Sequence, residues 1–233
     1  MRSFISTFFV IIKGILSRKT ITRSLMDDSL REIVISGQVL DLGSKTGKSS
    51  YYKYIKQLPS ARITFTDLFP SEGVVACDVA KKFPFPDNQF DFVLALNLME
   101  HVYEYENIII ETFRVLRDEG TFIGFVPFIH HYHPDPDDYF RFTHSALKRL
   151  LTENGFIKMT VTANSVGPVT CGTSMVLSAL LPKWLSIFQI VIMPICLLGD
   201  WLVFKLRRGF YKRENFAFGY IFVATKPIKV DIR

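Results

Sequence analysis

Asp41, Gly43, Gly47 and Asp67 are spaced as a nucleoside grip requires. The first three stand in Gln38-Val39-Leu40-Asp41-Leu42-Gly43-Ser44-Lys45-Thr46-Gly47, a short apolar run that passes an acid and enters a glycine-bearing turn. Asp67 closes the next apolar run, Ile63 to Asp67, about one βαβ step later. Glycines let the backbone approach a ligand, and a carboxylate at the following strand end accepts hydrogen bonds from a ribose diol.

Two phosphate-binding readings of the same turn fail on spacing. Gly43-Ser44-Lys45-Thr46-Gly47-Lys48-Ser49 ends like a phosphate loop, but that loop needs four residues between its glycines to wrap successive N–H groups around phosphates, and here there are three. The three-glycine dinucleotide fingerprint fails as well, because Lys45 stands where the middle glycine belongs. What is left is a nucleoside ligand that carries an amino group and no phosphate.

A second group of chemically able residues lies in His130-His131-Tyr132-His133-Pro134-Asp135-Pro136-Asp137-Asp138-Tyr139-Phe140-Arg141-Phe142-Thr143. Three histidines and three acids within nine positions suggest a metal. Yet no two histidines fall at i, i+4, and the sequence supplies no companion ligand cluster, so no metal site is expected.

These residues have to be positioned by elements, and the hydropathy pattern provides them. Between Val39 and Val126 strand-like and helix-like segments alternate, which specifies a parallel sheet covered by helices. Ser49 to Gln57 is expected as the first crossover helix. Phe90 to Leu96 is nearly continuous in apolar residues, as in a central strand buried on both faces. Tyr105 to Leu116 reads as a helix with Ile108, Ile109, Thr112, Phe113 and Leu116 on one stripe, and Thr121 to Val126 as the next strand. Ser145 to Asn154 makes another helix, and Phe156 to Thr162 with Tyr220 to Thr225 an antiparallel edge. Both chemical loops then lie at carboxyl ends of strands, where open α/β sheets bind ligands.

Six segments in register carry a family resemblance: Val39 to Gly43, Ile63 to Asp67, Cys77-Asp78-Val79, Phe83 to Asp91, Asn97-Leu98-Met99-Glu100-His101-Val102, and Arg114 to Gly120. From Val39 to Phe156 the chain resembles a class I S-adenosylmethionine-dependent methyltransferase of the small-molecule type. The resemblance implies an α/β, Rossmann-like, doubly wound and mostly parallel seven-stranded sheet with an antiparallel last strand. It also implies S-adenosyl-L-methionine as cofactor. Asp41, Gly43, Ser44 and Gly47 would meet its methionine portion, Asp67 and Leu68 the ribose, Asp78 and Val79 the adenine, with Asn97 leading into the reaction pocket. Lys45 departs from the family's usual glycine. Its side chain either crowds the methionine end, neutralises the cofactor carboxylate, or points into water.

A sulfonium already makes the methyl group electrophilic, so the protein has only to align an acceptor and take its proton. The spacing His133, Pro136, Asp138, Tyr139, Arg141, Thr143 resembles a loop of methyltransferases found with bacterial surface-polysaccharide biosynthesis. Under that resemblance His133 or Asp138 is the base, Tyr139 orients the acceptor, and Arg141 holds an acidic sugar or phosphate. The competing reading pairs Asp138 with Arg141 simply to fix the loop. The expected acceptor is a lipid-linked or cell-envelope glycan precursor, methylated on oxygen. A lipophilic small molecule such as a quinone precursor is the alternative, as is a non-catalytic scaffold with this fold.

The ends and the insertion are unusually apolar. The domain expected over 36–233 is preceded by an apolar helical segment, 1–35, and interrupted by an apolar helical insertion, 167–212. Phe4, Ile5, Phe8, Phe9, Ile11, Ile12, Ile15 and Leu16 give a broad apolar face, followed by Arg18 and Lys19 without a small-residue cleavage site. An interfacial helix or a helix packed on the domain's own core fits this pattern. Trp184 to Gly199 is sixteen residues without a charge and contains Pro194, short of the roughly twenty that a spanning helix needs. A single crossing would also place Tyr220 to Thr225 on the wrong side of a membrane to join its sheet. A re-entrant or surface-lying insertion is therefore expected, with Lys205, Arg207, Arg208, Lys212 and Arg213 on anionic headgroups. An internal lid or a dimer interface is the rival.

Composition agrees with this picture. The 233 residues carry a net charge of +6, from 28 basic and 22 acidic side chains. Many of the basic ones border apolar segments, which favours an anionic membrane surface, and no nucleic-acid signature or internal repeat is found. Cys77, Cys171 and Cys196 show no paired spacing, so a reducing cytoplasm is expected, with the chain peripheral or monotopic on the inner face of the cytoplasmic membrane. Oligomeric state is not readable.

Overall fold

A computed structural model describes residues 4–45, 49–69, 71–180, 188–207 and 213–229, which fall into two compact units. One unit takes in Met1–Ser29, Pro127–His131 and Ala163–Gly219; the other takes in Leu30–Val126, Tyr132–Thr162 and Tyr220–Arg233. The strands are β1 (Val34–Ile35), β2 (Gln38–Leu42), β3 (Lys56–Gln57), β4 (Arg62–Asp67), β5 (Val74–Ala76), β6 (Phe90–Leu96), β7 (Leu116–Pro127), β8 (Ile157–Ser165) and β9 (Ala217–Thr225). The helices are α1 (Phe4–Leu16), α2 (Ile21–Ser29), α3 (Tyr105–Val115), α4 (His144–Glu153), α5 (Pro168–Leu180) and α6 (Gln189–Leu206).

Seven strands form one sheet in the order β5-β4-β2-β6-β7-β9-β8, while β1 and β3 make a separate parallel pair. β2 lies parallel between β4 and β6, with Val39 opposite both Ile63 and Phe92, and β6 continues parallel to β7. β9 is the antiparallel strand. This is the expected Rossmann-like fold. Its strands are apolar because both faces are covered: Val39, Leu40, Phe90, Val93, Leu94, Phe122 and Phe125 are each fully buried. The order reverses beside β2, between β4 and β6, and that reversal opens the crevice where such sheets take ligands.

One element departs from expectation. Ser49 to Gln57 is not a crossover helix but a 3-10 turn, Ser50–Lys53, followed by β3. Asp41, buried at the end of β2, accepts from both the Tyr51 and Tyr52 hydroxyls of this turn on its Oδ2, at 2.6 and 2.8 Å, and the two rings lie side by side with centroids 4.9 Å apart.

The other unit is helical. Ile11 and Ile15 of α1, Ile21 and Leu25 of α2, Cys171 of α5, Met193 and Leu197 of α6, and Phe218 enclose its core. Gly14 permits the close approach of α1 and α2, since a Cβ there would lie 1.8 Å from Ser24 Oγ. Asp200, buried in α6, accepts from the N–H groups of Val169 (2.7 Å) and Thr170 (3.2 Å), so the late part of α6 caps the start of α5 and the two helices form an antiparallel hairpin. On α6 the buried residues Met193, Leu197 and Asp200 share one face, and Val191, Ile195, Leu198 and Leu202 form an exposed apolar stripe on another. α6 is the one helix among the described residues long and apolar enough to cross a membrane. Trp184, Arg208 and Lys212 lie outside the described residues.

Candidate active site

A cavity of about 820 Å³ opens over the carboxyl ends of β2, β4 and β6, entirely within the sheet-bearing unit. Gly43, Asp67, Leu68, Asp78, Val79 and Asn97 line it, six of the nine residues expected to hold the cofactor. Gly43 adopts φ +67°, and a Cβ there would stand 2.8 Å from Leu98 Cδ1, so the turn requires glycine. Both oxygens of Asp67 accept from backbone N–H groups, Oδ2 from Lys45 and Oδ1 from Phe69, each at 3.1 Å. A carboxylate held this way is oriented and still has lone pairs for a diol. Asp78 accepts from the Ala80 N–H and pairs with Lys81, whose hydrogen bond holds the carboxyl below its ordinary range.

Asp41 and Ser44 do not line the cavity, contrary to the expectation that they meet the cofactor. Ser44 is buried and ties its turn to Thr66 through N–H to C=O at 2.8 Å. Asp41 is sealed beneath the turn, where it fixes Tyr51 and Tyr52 and where Oδ1 accepts no hydrogen bond among the described residues. Gly47 lies outside the described residues. Burial pushes the Asp41 carboxyl up to about 7, against the pull of the two tyrosine hydroxyls. The folded state thus holds a proton that an unfolded aspartate releases near 3.8. The contribution of Asp41 to stability is therefore expected to fall as pH rises from about 4 to 7. Asp41→Asn is expected to remove most of that slope, raising the urea midpoint at pH 8 and leaving it nearly unchanged at pH 4.

Lys45, at φ +53°, occupies a left-handed conformation that favours glycine. Its ammonium sits 2.6 Å from Asp135 Oδ2, and both residues line the cavity. The turn after β2 is thereby tied to the loop that carries Asp135. Phe69, Tyr103 and Tyr139 also line the cavity and are 77%, 65% and 46% exposed, aromatic faces available to a planar ligand. An aromatic residue two places after the strand-ending acid was a readable signal for Phe69 that spacing arguments passed over.

Of the four residues expected to catalyse, Tyr139 lines the cavity, its hydroxyl donating to Asp137 Oδ2 at 2.9 Å. Asp138 and Arg141 are instead paired through both guanidinium nitrogens, Nη2 to Oδ2 at 2.6 Å. Asp138 also accepts from the His133 N–H at 2.9 Å, and the guanidinium holds its carboxyl far below the usual range. An acid so committed is a poor base, and the pairing is the one the loop-fixing reading requires. His133 packs edge-on against His101, ring centroids 5.1 Å apart, and His101 lines the cavity. Between them lies Glu100, fully buried, both carboxylate oxygens without a hydrogen-bond partner among the described residues; burial pushes it up to about 8. His130 and His131 belong to the other unit.

Residues 40–124 match the family model described as Methyltransferase domain. No curated protein sequence matches the chain significantly. Among solved structures, the [4+2]-cyclase SpnF superposes with a TM-score of 0.54 at 16% identity, over 90% of this chain and 82% of that one. A protein in complex with the Haloferax volcanii Trm112 methyltransferase activator gives 0.54 at 15% identity, over 95% and 96%. Phosphoethanolamine N-methyltransferase 2 of Haemonchus contortus, in complex with S-adenosyl-L-methionine, gives 0.52 at 15% identity, over 87% of this chain and 52% of that one. At these identities the likenesses establish the fold.

Proposed function

We propose that the chain, which carries a methyltransferase domain on this fold, uses S-adenosyl-L-methionine to methylate an oxygen of a lipid-linked or cell-envelope glycan precursor at the inner face of the cytoplasmic membrane. The observation that carries the cofactor reading is the cavity itself. Gly43, Asp67, Asp78 and Asn97 converge on one space from four strand ends, a glycine at the turn and a pre-oriented carboxylate one strand along, which suits a nucleoside bearing no phosphate.

The membrane reading rests on the helical unit. α5 and α6 leave the chain after β8 and return it to β9, its hydrogen-bonded neighbour, as an antiparallel hairpin. At about 1.5 Å per residue the described residues of α5 and α6 span some 20 and 27 Å, against the roughly 30 Å apolar core of a bilayer. Such a hairpin dips into one leaflet. Lys205 and Arg207 follow the apolar stripe of α6, placed for anionic headgroups. A lipophilic acceptor such as a quinone precursor is the second reading, favoured by Leu98, Val102 and Tyr103 on the cavity wall.

Calorimetric titration with S-adenosylhomocysteine tests the core of the proposal, with one site per chain expected. Absence of heat would leave a scaffold that has the fold and no cofactor. Methyl transfer from labelled S-adenosylmethionine into glycolipid or quinone fractions of a lipid extract then separates the two acceptors.

A further inference from the structure

Glu100 Oε1 stands 3.7 Å from His101 Nε2 and 4.0 Å from His133 Nε2, and one ligand atom from each of the three residues lies within 4.8 Å of the others. We propose that these three side chains bind a divalent ion of the first transition row, such as zinc or manganese, at the wall of the cavity. Two imidazole nitrogens and one carboxylate oxygen form a common donor set for such ions, and three protein ligands leave coordination positions open to a reactant.

The groups behind the ligands support the assignment. His101 Nδ1 lies 2.6 Å from the carbonyl oxygen of Asp137, which can only accept, so Nδ1 carries the proton and Nε2 presents a lone pair. His133 Nδ1 lies 3.2 Å from Asp138 Oδ2, which accepts from the Nδ1–H tautomer, and 3.4 Å from Arg141 Nη2, which can only donate to the other tautomer; an ion at Nε2 selects the first, with Arg141 still paired to Asp138. A ligating histidine backed by a carbonyl or a carboxylate is the usual second layer of a metal site. Glu100 supplies the remaining sign. A carboxylate with neither oxygen hydrogen-bonded among the described residues is costly to bury, and a cation between it and the two imidazoles would satisfy it. Neighbouring ligands around such an ion are roughly 3.0 to 3.5 Å apart, so a contraction of an ångström or less would close the Glu100–histidine distances around it.

The use of the ion rests on the methyl-transfer reading; its binding does not. His101 lines the cavity, so an open coordination position faces the acceptor. An acceptor hydroxyl bound there becomes more acidic and releases its proton to water. Its oxygen then forms the new O–CH3 bond as the S–CH3 bond of the sulfonium breaks, and that bond's electron pair returns to sulfur to leave the thioether.

The test is titration of the metal-free full chain with cobalt(II), followed by visible absorption, beside calorimetry with S-adenosylhomocysteine on the same preparations. One cobalt per chain is expected. Glu100→Gln, His101→Ala and His133→Ala should each weaken it about 100-fold or more, and Asp138→Asn, which weakens both the support of His133 and the Arg141 pairing, by roughly 10- to 100-fold. A cooperative thermal transition at the parent's midpoint in these variants demonstrates that the chain still folds. A His130→Ala, His131→Ala double variant should bind cobalt as the parent does; loss there would move the ion elsewhere and overturn the assignment. Thioether binding without cobalt binding would sink the metal site alone. Cobalt binding without thioether binding would sink the cofactor reading and leave the metal site standing.

Discussion

Replacing Asp67 with alanine is expected to weaken S-adenosylhomocysteine binding by about 1.5 to 3 kcal/mol, roughly 10- to 150-fold, as for loss of hydrogen bonds to a charged acceptor. The magnitude follows from the way the carboxylate is held. Its two oxygens already accept from the Lys45 and Phe69 N–H groups, so it meets the ribose without reorganising, and the variant loses both the diol contacts and the brace on the glycine turn. Asp67→Asn separates the two contributions. It keeps one acceptor oxygen for the turn and should fall between the parent and the alanine variant. Calorimetry is the measurement; an alanine variant that binds as tightly as the parent would remove the nucleoside from the end of β4.

Charging the exposed stripe of α6 is expected to have a comparably large effect on membrane partition. Ile195 and Leu198 are 68% and 59% exposed, and burying each in lipid would contribute about 1.5 to 3 kcal/mol. The double variant Ile195→Asp, Leu198→Asp should therefore lose roughly 3 to 6 kcal/mol of partition free energy, about 10²- to 10⁴-fold. Flotation with vesicles containing anionic lipid reads this out. Because both side chains face away from the core formed by Met193 and Leu197, the thermal midpoint should hardly move. Unchanged flotation accompanied by loss of a dimer in sedimentation would assign the stripe to a protein interface instead.

The two variants probe different kinds of information in the chain. The sheet was legible because burial on both faces leaves a local trace: Phe90 to Leu96 reads as a central strand in any context, and the acid and glycine that end β2 announce a turn. Gly43, Asp67, Asp78 and Asn97 converge because parallel strands end on one side of a sheet, so registering the strands was enough to bring those residues together.

Tertiary packing decided whatever depended on a partner distant in sequence. Ser49 to Gln57 holds a 3-10 turn in place of the expected helix, and its Tyr51 and Tyr52 hydroxyls both bond to the buried Asp41, a contact no propensity records. Lys45 pairs with Asp135, ninety positions away, a partner no local reading of the turn names. His133 looked solitary beside His130 and His131, yet the loop folds back so that Tyr139 N–H binds the carbonyl of Glu100, bringing His133 to Glu100 and His101. Amino-acid order by itself determined the layers and the rim where chemistry can occur, since periodicity and turn chemistry act over a few residues. Which acids are sealed, which are gripped and which stand beside imidazoles was decided only in three dimensions, because desolvation and charge pairing depend on distances through space.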